Sequence, residues 1–71
     1  MRRLREMRLA KGLTQTEVAA RARLHPQQLS AFELGRAIPY APQLKRLARA
    51  LGVPASEAQS LLEEVQAEEG R

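Results

Sequence analysis

The chain has 71 residues, no cysteine and a formal net charge of +4. A chain of this length has room for one small hydrophobic core, and the missing cysteine excludes disulfide cross-links and thiolate zinc sites. No apolar run is long enough for a signal peptide or a membrane span. We therefore expect a soluble, cytoplasmic protein with one domain over residues 1–67, a short tail over residues 68–71, and stability supplied by helix packing.

The charge is distributed unevenly along the chain. Residues 1–51 contain eleven Lys or Arg and three Glu, a net charge of +8, whereas residues 52–71 contain one Arg and five Glu, a net charge of −4. A cationic body attracts polyanions because binding releases their counterions, and the acidic end would point away from phosphate. A solvated charged surface is the alternative explanation. Charge alone therefore favours nucleic acid as a partner without requiring it.

Two short helices are predicted before residue 23. Helix 1 should span residues 2–11, with Gly12 as a left-handed cap after its last turn. Thr14 is expected to cap helix 2, because Glu17 follows at the capping-box position three residues later. The apolar side chains expected in the core from these two helices are Leu4, Met7, Val18, Ala19 and Ala22.

Residues 23–25 interrupt the helical pattern before a third helix. Pro26 fits the first turn of helix 3, where its missing N–H would have no partner anyway. We expect this helix over residues 26–34, and Gly35 should end it. Two short helices joined by a short turn suggest a helix-turn-helix. The core residues expected from helix 3 are Leu29 and Phe32.

The fourth helix is predicted after a loop that contains proline. Pro39 and Tyr40 lie in this loop, and Pro42 can occupy the opening turn of helix 4. Gly52 should end the helix. The i, i+3, i+4, i+7 apolar pattern of an α-helix is followed by Leu44, Leu47, Ala48 and Leu51.

A fifth helix is predicted near the C-terminal end. Ser56 and Gln59 form a second capping-box pair, and the helix should end near Ala67. Its apolar side is formed by Ala58, Leu61, Leu62 and Val65. No segment alternates polar and apolar residues with a period of two, so we predict no strand and an all-α fold.

Several short motifs resemble those of one family of DNA-binding proteins. The motifs are Gly12-Leu13-Thr14-Gln15, Val18-Ala19, Leu29-Ser30, Glu33 and Gly35-Arg36. With the spacing they have here, they resemble the pattern of the Cro/phage-repressor-like (XRE-type) regulators. The resemblance runs from Leu4 to Leu62 and includes the apolar series of helix 4.

The resemblance implies both a fold and a function. The fold would be a five-helix, lambda-repressor-like domain in which helices 2 and 3 form the helix-turn-helix. The function would be that of a sequence-specific transcriptional regulator, acting as a repressor, that inserts helix 3 into the major groove of double-stranded operator DNA. Relatives generally bind as dimers, so a homodimer is expected, with Leu61, Leu62 and Val65 as a candidate interface. The alternative for these three side chains is that they complete the core of the monomer.

The start of helix 3 carries the expected base-reading residues. Gln27 and Gln28 stand where a recognition helix reaches base edges, and a glutamine amide can pair with N6 and N7 of adenine. Pro26 and Ala31 occupy positions that often read bases in the family, but they offer only apolar contact, for instance to a thymine methyl group. We therefore expect modest sequence discrimination, or a contribution from DNA shape.

Phosphate contacts are expected on either side of helix 3. Gln15 opens helix 2, where a backbone N–H, a side-chain amide and the helix dipole can meet one phosphate. Arg23 stands where the family usually has glycine, and a left-handed conformation there would cost about 1 kcal/mol. Tyr40 is expected to cover the core rather than to contact phosphate. The expected phosphate-binding residues are Thr14, Gln15, Arg23, Arg36 and Lys45, with Arg2 and Arg3 as a mobile arm.

The resemblance also implies an inward ion pair between Arg8 of helix 1 and Glu33 of helix 3. The alternative is two separate surface charges. Such a pair would fix the geometry of the helices more than it would add stability, because desolvation offsets much of the attraction. His25 lies where Ser or Thr normally caps helix 3. As a lone histidine it cannot form a metal site, so we expect a weak cap or a surface role.

Catalysis is poorly supported by the composition. The chain has one His, no Cys and no Asp, and most of its Glu residues lie in the C-terminal part. No glycine-rich loop for phosphate is present either, so we expect no enzymatic activity, cofactor or metal. The competing function is a protein-interaction module, such as an antitoxin, adaptor or anti-repressor, that docks a protein partner through the acidic C-terminal helix.

Overall fold

Five helices make up the described part of the chain, residues 1–65 of a computed structural model. They are α1 (Arg3–Ala10), α2 (Gln15–Ala22), α3 (Pro26–Glu33), α4 (Ala41–Ala50) and a 3₁₀-helix, η1 (Ala55–Leu62). Within residues 1–65 no strand is present, although Arg2 and Glu64 form an isolated antiparallel bridge. The prediction of an all-α, five-helix fold is confirmed. The predicted end of the domain at residue 67 and the tail lie outside the described residues.

The start of α2 has the predicted capping box. The backbone N–H of Glu17 donates to Thr14 Oγ1 at 3.0 Å, and the backbone N–H of Thr14 donates to Glu17 Oε1 at 2.8 Å. The bond from the Thr14 backbone is the main reason why the pKa of the Glu17 carboxyl lies below its usual value, followed by the bond to the Thr14 side chain. These reciprocal bonds fix where α2 begins.

The turn between α2 and α3 is stabilised by backbone bonds and strained at one residue. Arg23 adopts the left-handed conformation considered in the sequence analysis, with φ 59° and ψ 44°. Its N–H donates to Ala20 O at 3.2 Å, and the N–H of Leu24 donates to Ala19 O at 2.8 Å. Because Leu24 is buried, the chain must turn sharply here, and an L-residue with a Cβ adopts this conformation only at a cost.

Helix α2 lies at the centre of the packing. It packs against α3 and α4, and η1 packs against α4 and α1. Ala19 is fully buried, and its small side chain lets neighbouring helices approach α2 closely. The predicted core residues of helices 1 to 4 are buried, except that Met7 is only half-buried. The largest fully buried side chains are Leu4, Val18, Leu29, Leu47, Leu51 and Leu61.

The fifth helix differs from the prediction. Pro54 precedes its first residue and makes no side-chain cap, so Ser56 lies inside the helix and cannot form the predicted capping box with Gln59. The helix is of the 3₁₀ type and ends at Leu62, after which Glu63 is extended. In a 3₁₀-helix residues three apart share a face, which explains why Ala58 and Leu61 are both buried. The predicted end near Ala67 lies outside the described residues.

The N-terminal residues are held by the segment that follows η1. The N–H of Arg3 donates to Glu63 O at 2.8 Å, and the N–H of Val65 donates to Met1 O at 2.7 Å. The Arg2 guanidinium donates through Nη1 to Leu62 O at 3.2 Å. The expectation that Arg2 and Arg3 form a mobile arm is therefore wrong. These backbone bonds also explain why the chain leaves the helical conformation after Leu62.

We predict that Arg23→Gly stabilises the protein, because glycine adopts the left-handed conformation without the steric cost of a Cβ. The free energy of unfolding in urea should rise by about 1 kcal/mol. Arg23→Ala is the matched control, because it removes the charge and keeps the strain, and it should leave the stability nearly unchanged. A loss of stability in Arg23→Gly would contradict the interpretation.

Candidate nucleic-acid interface

One side of α3 faces the solvent along its whole length. With 3.6 residues per turn, Gln27, Ala31 and Leu34 lie on the side opposite the buried residues of the helix. Gln27 and Leu34 are exposed and Ala31 is half-buried. The predicted reading helix thus presents its first turn outward. The inward side is formed by Leu29, Phe32 and Glu33.

The two glutamines at the start of α3 have different surroundings. Gln28 Oε1 accepts a hydrogen bond from the backbone N–H of His25 at 2.9 Å, so its carbonyl caps the helix. The amide of Gln27 is exposed and makes no hydrogen bond within residues 1–65. Since pairing with both N6 and N7 of adenine needs the carbonyl and the NH₂ group together, Gln27 is the glutamine that offers both. His25 occupies the N-cap position as predicted, and its side chain makes no capping bond.

The remaining groups on the outer side of α3 are apolar. Pro26 is exposed in the first turn, and Ala31 lies one turn after Gln27. Leu34, which is 56% exposed, extends this surface at the end of the helix. From the sequence, Leu34 was predicted only as the last residue of helix 3. Its position seven residues after Gln27 and three after Ala31, on the same helical face, was the signal that could have identified it.

An open groove of about 850 Å³ lies between α1, the start of α2 and the C-terminal half of α3. Its polar rim includes Arg5, Thr14, Thr16 and Ser30. The first N–H groups of a helix have no intrahelical acceptor, and together with the helix dipole they favour an anion. Arg5, which sequence reasoning missed, lies three residues before Arg8 and hence on the same side of α1. The groove can therefore hold a phosphate group.

A buried ion pair forms the floor of this groove. Arg8 Nε lies 2.6 Å from Glu33 Oε2, and Arg8 Nη2 donates to Glu33 Oε1 at 3.1 Å. Arg8 Nη1 donates to Leu13 O at 2.9 Å, and Gln15 Nε2 donates to Glu33 Oε1 at 3.0 Å. Arg8 and Glu33 are only 7% and 3% exposed. The expected inward pair is thus present, and it connects α1, the turn before α2, the start of α2 and α3.

Gln15 is positioned by this pair. The bond from its side-chain amide to Glu33 holds the half-buried side chain at the edge of the groove. Its backbone N–H is the first of α2 and has no acceptor within its helix. The structure thus leaves the backbone N–H of Gln15 and one remaining N–H of its amide for an anion. Thr14 accepts a bond from Glu17 and still has its hydroxyl proton to donate.

The other residues expected to bind phosphate lie in different places. Arg23 and Arg36 are exposed at the two ends of α3, before and after its reading side. Lys45 lies on α4 and lines a second groove, which shares no residue with the first. Tyr40 is 76% exposed, so the expectation that it covers the core is wrong. It precedes α4, and its backbone N–H donates to Gln43 Oε1 at 2.8 Å.

The three candidate dimer residues differ in how deeply they are buried. Leu61 is fully buried and belongs to the core of the monomer, so its assignment to a dimer interface is wrong. Leu62 packs partly against the core, and Val65 is half-buried. The three-residue repeat of η1 turns Leu61 inward and leaves Leu62 at the edge.

Comparison with known proteins agrees with this geometry. Residues 4–57, which include α2 to α4 and all of α1 except its first residue, match the helix-turn-helix family. The chain belongs to the helix-turn-helix family. The resemblance to XRE-type regulators is thereby confirmed, and the match covers the reading side of α3 and the groove beside it. Regulators of this family are in general not enzymes.

One curated relative is an uncharacterized HTH-type transcriptional regulator, y4dJ, of Sinorhizobium fredii (strain NBRC 101917 / NGR234). It is 51% identical over 47 residues, which are 66% of this chain and 61% of the relative. The chain thus matches less than two thirds of the relative's length. No solved structure matches the chain significantly.

Within residues 1–65, no helix is long and apolar enough to cross a membrane, and no group of His, Cys, Asp or Glu is placed to hold a metal ion.

We predict that Glu33→Gln strongly destabilises the protein, because the Arg8 guanidinium would remain buried without its counter-charge. The free energy of unfolding should fall by about 3–5 kcal/mol, measured by thermal or urea denaturation. The double variant Arg8→Met/Glu33→Leu should recover most of this loss, since it leaves no buried charge. Glu6→Gln, at an exposed carboxylate of α1, is the control and should have little effect. Equal losses in Glu33→Gln and the double variant would argue against the buried charge as the cause.

Proposed function

We propose that this protein is a sequence-specific DNA-binding transcriptional regulator that acts as a repressor and inserts α3 into the major groove of its operator. The observation that carries the proposal is the exposed amide of Gln27, on the outer side of a helix beside a groove suited to phosphate. The family to which the chain belongs supports DNA as the partner. The name of the relative supports a role in transcription for that relative, and by similarity for this chain.

Base readout would rest on few groups. Gln27 would pair with adenine through both amide atoms, whereas Gln28 would contribute only its NH₂ group while its carbonyl caps α3. Pro26, Ala31 and Leu34 would contact thymine methyl groups or the sugar edge. With so little hydrogen-bonding capacity, part of the discrimination would come from the shape of the DNA.

Phosphate contacts would fix the position of α3 in the groove. The N–H groups at the start of α2 would bind one phosphate, with Arg5 and the hydroxyl groups of Thr14 and Thr16 around it. Arg23 and Arg36, one before and one after α3, would contact phosphates on either side of the reading helix. The only carboxylate of α3, Glu33, is paired with Arg8. The reading helix therefore presents no uncompensated negative charge to DNA.

The operator would be bound by a homodimer in the cytoplasm. A single α3 covers few base pairs, and two copies related by a two-fold axis would read half-sites about 34 Å apart. Selection of bound sequences from a random pool of duplexes tests binding, sequence preference and half-site symmetry in one experiment. Binding that shows no preference and no dependence on salt would favour a protein-interaction module instead.

We predict that Gln27→Ala changes the base preference at one position of each half-site. The loss of discrimination should be about 1–3 kcal/mol at that base pair, measured by competition between duplexes that differ there. Gln28→Ala is the matched comparison, because its carbonyl is already used by His25, and it should change preference less and stability more. If Gln27→Ala left every preference intact, α3 would not be the reading helix in the orientation proposed.

We predict that Arg36→Ala weakens binding to all sequences equally. Loss of one phosphate contact should make the slope of log K against log salt shallower by about 0.9. The measurement is a salt titration with a duplex that carries a single half-site. Arg49→Ala on α4 is the control, because Arg49 lies in the other groove, and it should leave this slope unchanged. An altered base preference in Arg36→Ala with an intact slope would contradict the phosphate role.

A further inference from the structure

The outer side of α4 is cationic and forms one wall of a groove. Lys45, Arg46 and Arg49 lie on the side of the helix opposite its buried leucines. The groove has a volume of about 620 Å³, and its other wall is formed by residues 52–55, the turn into η1. This wall is largely apolar, because it consists of Gly52, Val53, Pro54 and Ala55.

The cationic side chains of this groove are available to bind an anion. Arg46 Nε donates to Ala22 O, at the end of α2, at 2.7 Å, which holds the guanidinium in place and leaves its other N–H groups free to donate. Lys45 and Arg49 are exposed. Among residues 1–65, no carboxylate lies within ion-pair distance of these three side chains. Lys11 adds a fourth positive charge nearby, since its Nζ approaches Gly52.

An acidic edge begins directly beside this groove. Glu57 lies two residues after Ala55, in the first turn of η1, and is exposed. The three-residue repeat of the 3₁₀-helix puts Ser60 on the same face, and Glu63 is the first residue after the helix. Glu63 is also exposed. The α4 groove and the η1 edge are thus neighbouring surfaces of opposite charge.

We propose that the α4 groove and the η1 edge together form a dimer interface, in which the groove of each copy receives the acidic edge of the other. A two-fold axis that passes between two neighbouring patches of opposite charge places each patch of one copy against the oppositely charged patch of the other copy. Lys45 and Arg49 of one copy then face Glu57 and Glu63 of the second copy, and the reverse contact forms at the same time. The proposal names a surface for the homodimer of the proposed function, but its test needs no DNA.

The shape and lining of the groove favour a second copy over nucleic acid. A duplex presents a convex, fully charged backbone, which would leave the apolar wall at Val53 and Pro54 in contact with phosphate. A second copy would instead cover this wall with the half-buried apolar residues beside its acidic edge, such as Leu62. The contact would combine apolar burial with charge complementarity, as specific protein interfaces do.

A charge-swap experiment tests the proposal. One variant, K45E/R49E, makes both surfaces acidic, and the other, E57K/E63K, makes both surfaces basic. The wild type should sediment as a dimer at about 0.05 M salt and dissociate towards about 0.5 M salt, because exposed ion pairs are screened. Each variant alone should dimerise at least about tenfold more weakly, because like charges then meet. An equimolar mixture of the two variants should again sediment as a dimer.

The control variant is R21E, which reverses the charge of an exposed arginine on α2 that lines neither groove, and it should remain dimeric. Circular dichroism verifies that each variant is folded. A monomeric wild type at low salt, or a mixture that stays monomeric, would overturn the proposal. So would a K45E/R49E variant that still dimerises but no longer binds a single half-site, because the groove would then be a phosphate contact. Intact dimers that bind no DNA would refute the proposed function alone.

Discussion

The buried pair between Arg8 and Glu33 is the interaction on which the rest of the structure depends. It joins α1 to α3 through two hydrogen bonds and also holds Leu13 O and the Gln15 amide. The desolvation of two charges offsets much of their attraction, so its main effect is to select one geometry. Because Gln15 and Arg8 both donate to the carboxylate of Glu33 on α3, the start of α2 and α3 are held in one relative orientation. The proposed docking on two strands of a duplex would require such a fixed orientation.

The capping of α3 limits which of its side chains could contact bases in the proposed complex. His25 supplies no side-chain acceptor, and Gln28 caps the helix with its own carbonyl. The carbonyl of Gln28, which could otherwise have contacted a base, is thereby used to cap the start of α3. The outer side is left with Gln27 and apolar neighbours, which is a small set for base recognition. A second reading helix from another copy, and the deformability of the DNA between half-sites, would then contribute much of the specificity.

The sequence was sufficient for most of the fold, because local signals and tertiary packing agree in α1 to α4. The capping box at Thr14, Pro26 in the first turn of α3 and the apolar pattern of α4 are all present as predicted. The fifth helix was predicted wrongly because its end depends on backbone bonds to residues 60 or more positions away, which no local pattern contains. The roles of Arg5 and Leu34 depend on which helical face meets the groove, and that also becomes visible only after packing.

The uneven distribution of charge along the chain places cationic and acidic groups in separate regions of the surface. The groove beside α3 and the α4 groove are both cationic, yet they share no residue, and η1 carries the acidic edge beside the second of them. If the α4 groove is neutralised by a second copy, the positive charge that remains exposed includes Arg5 beside the first groove and Arg23 and Arg36 at the two ends of α3. Dimerisation would then do more than add a second half-site. It would remove a competing polyanion site from the surface, and so direct the net attraction for DNA towards α3, the helix proposed to read it.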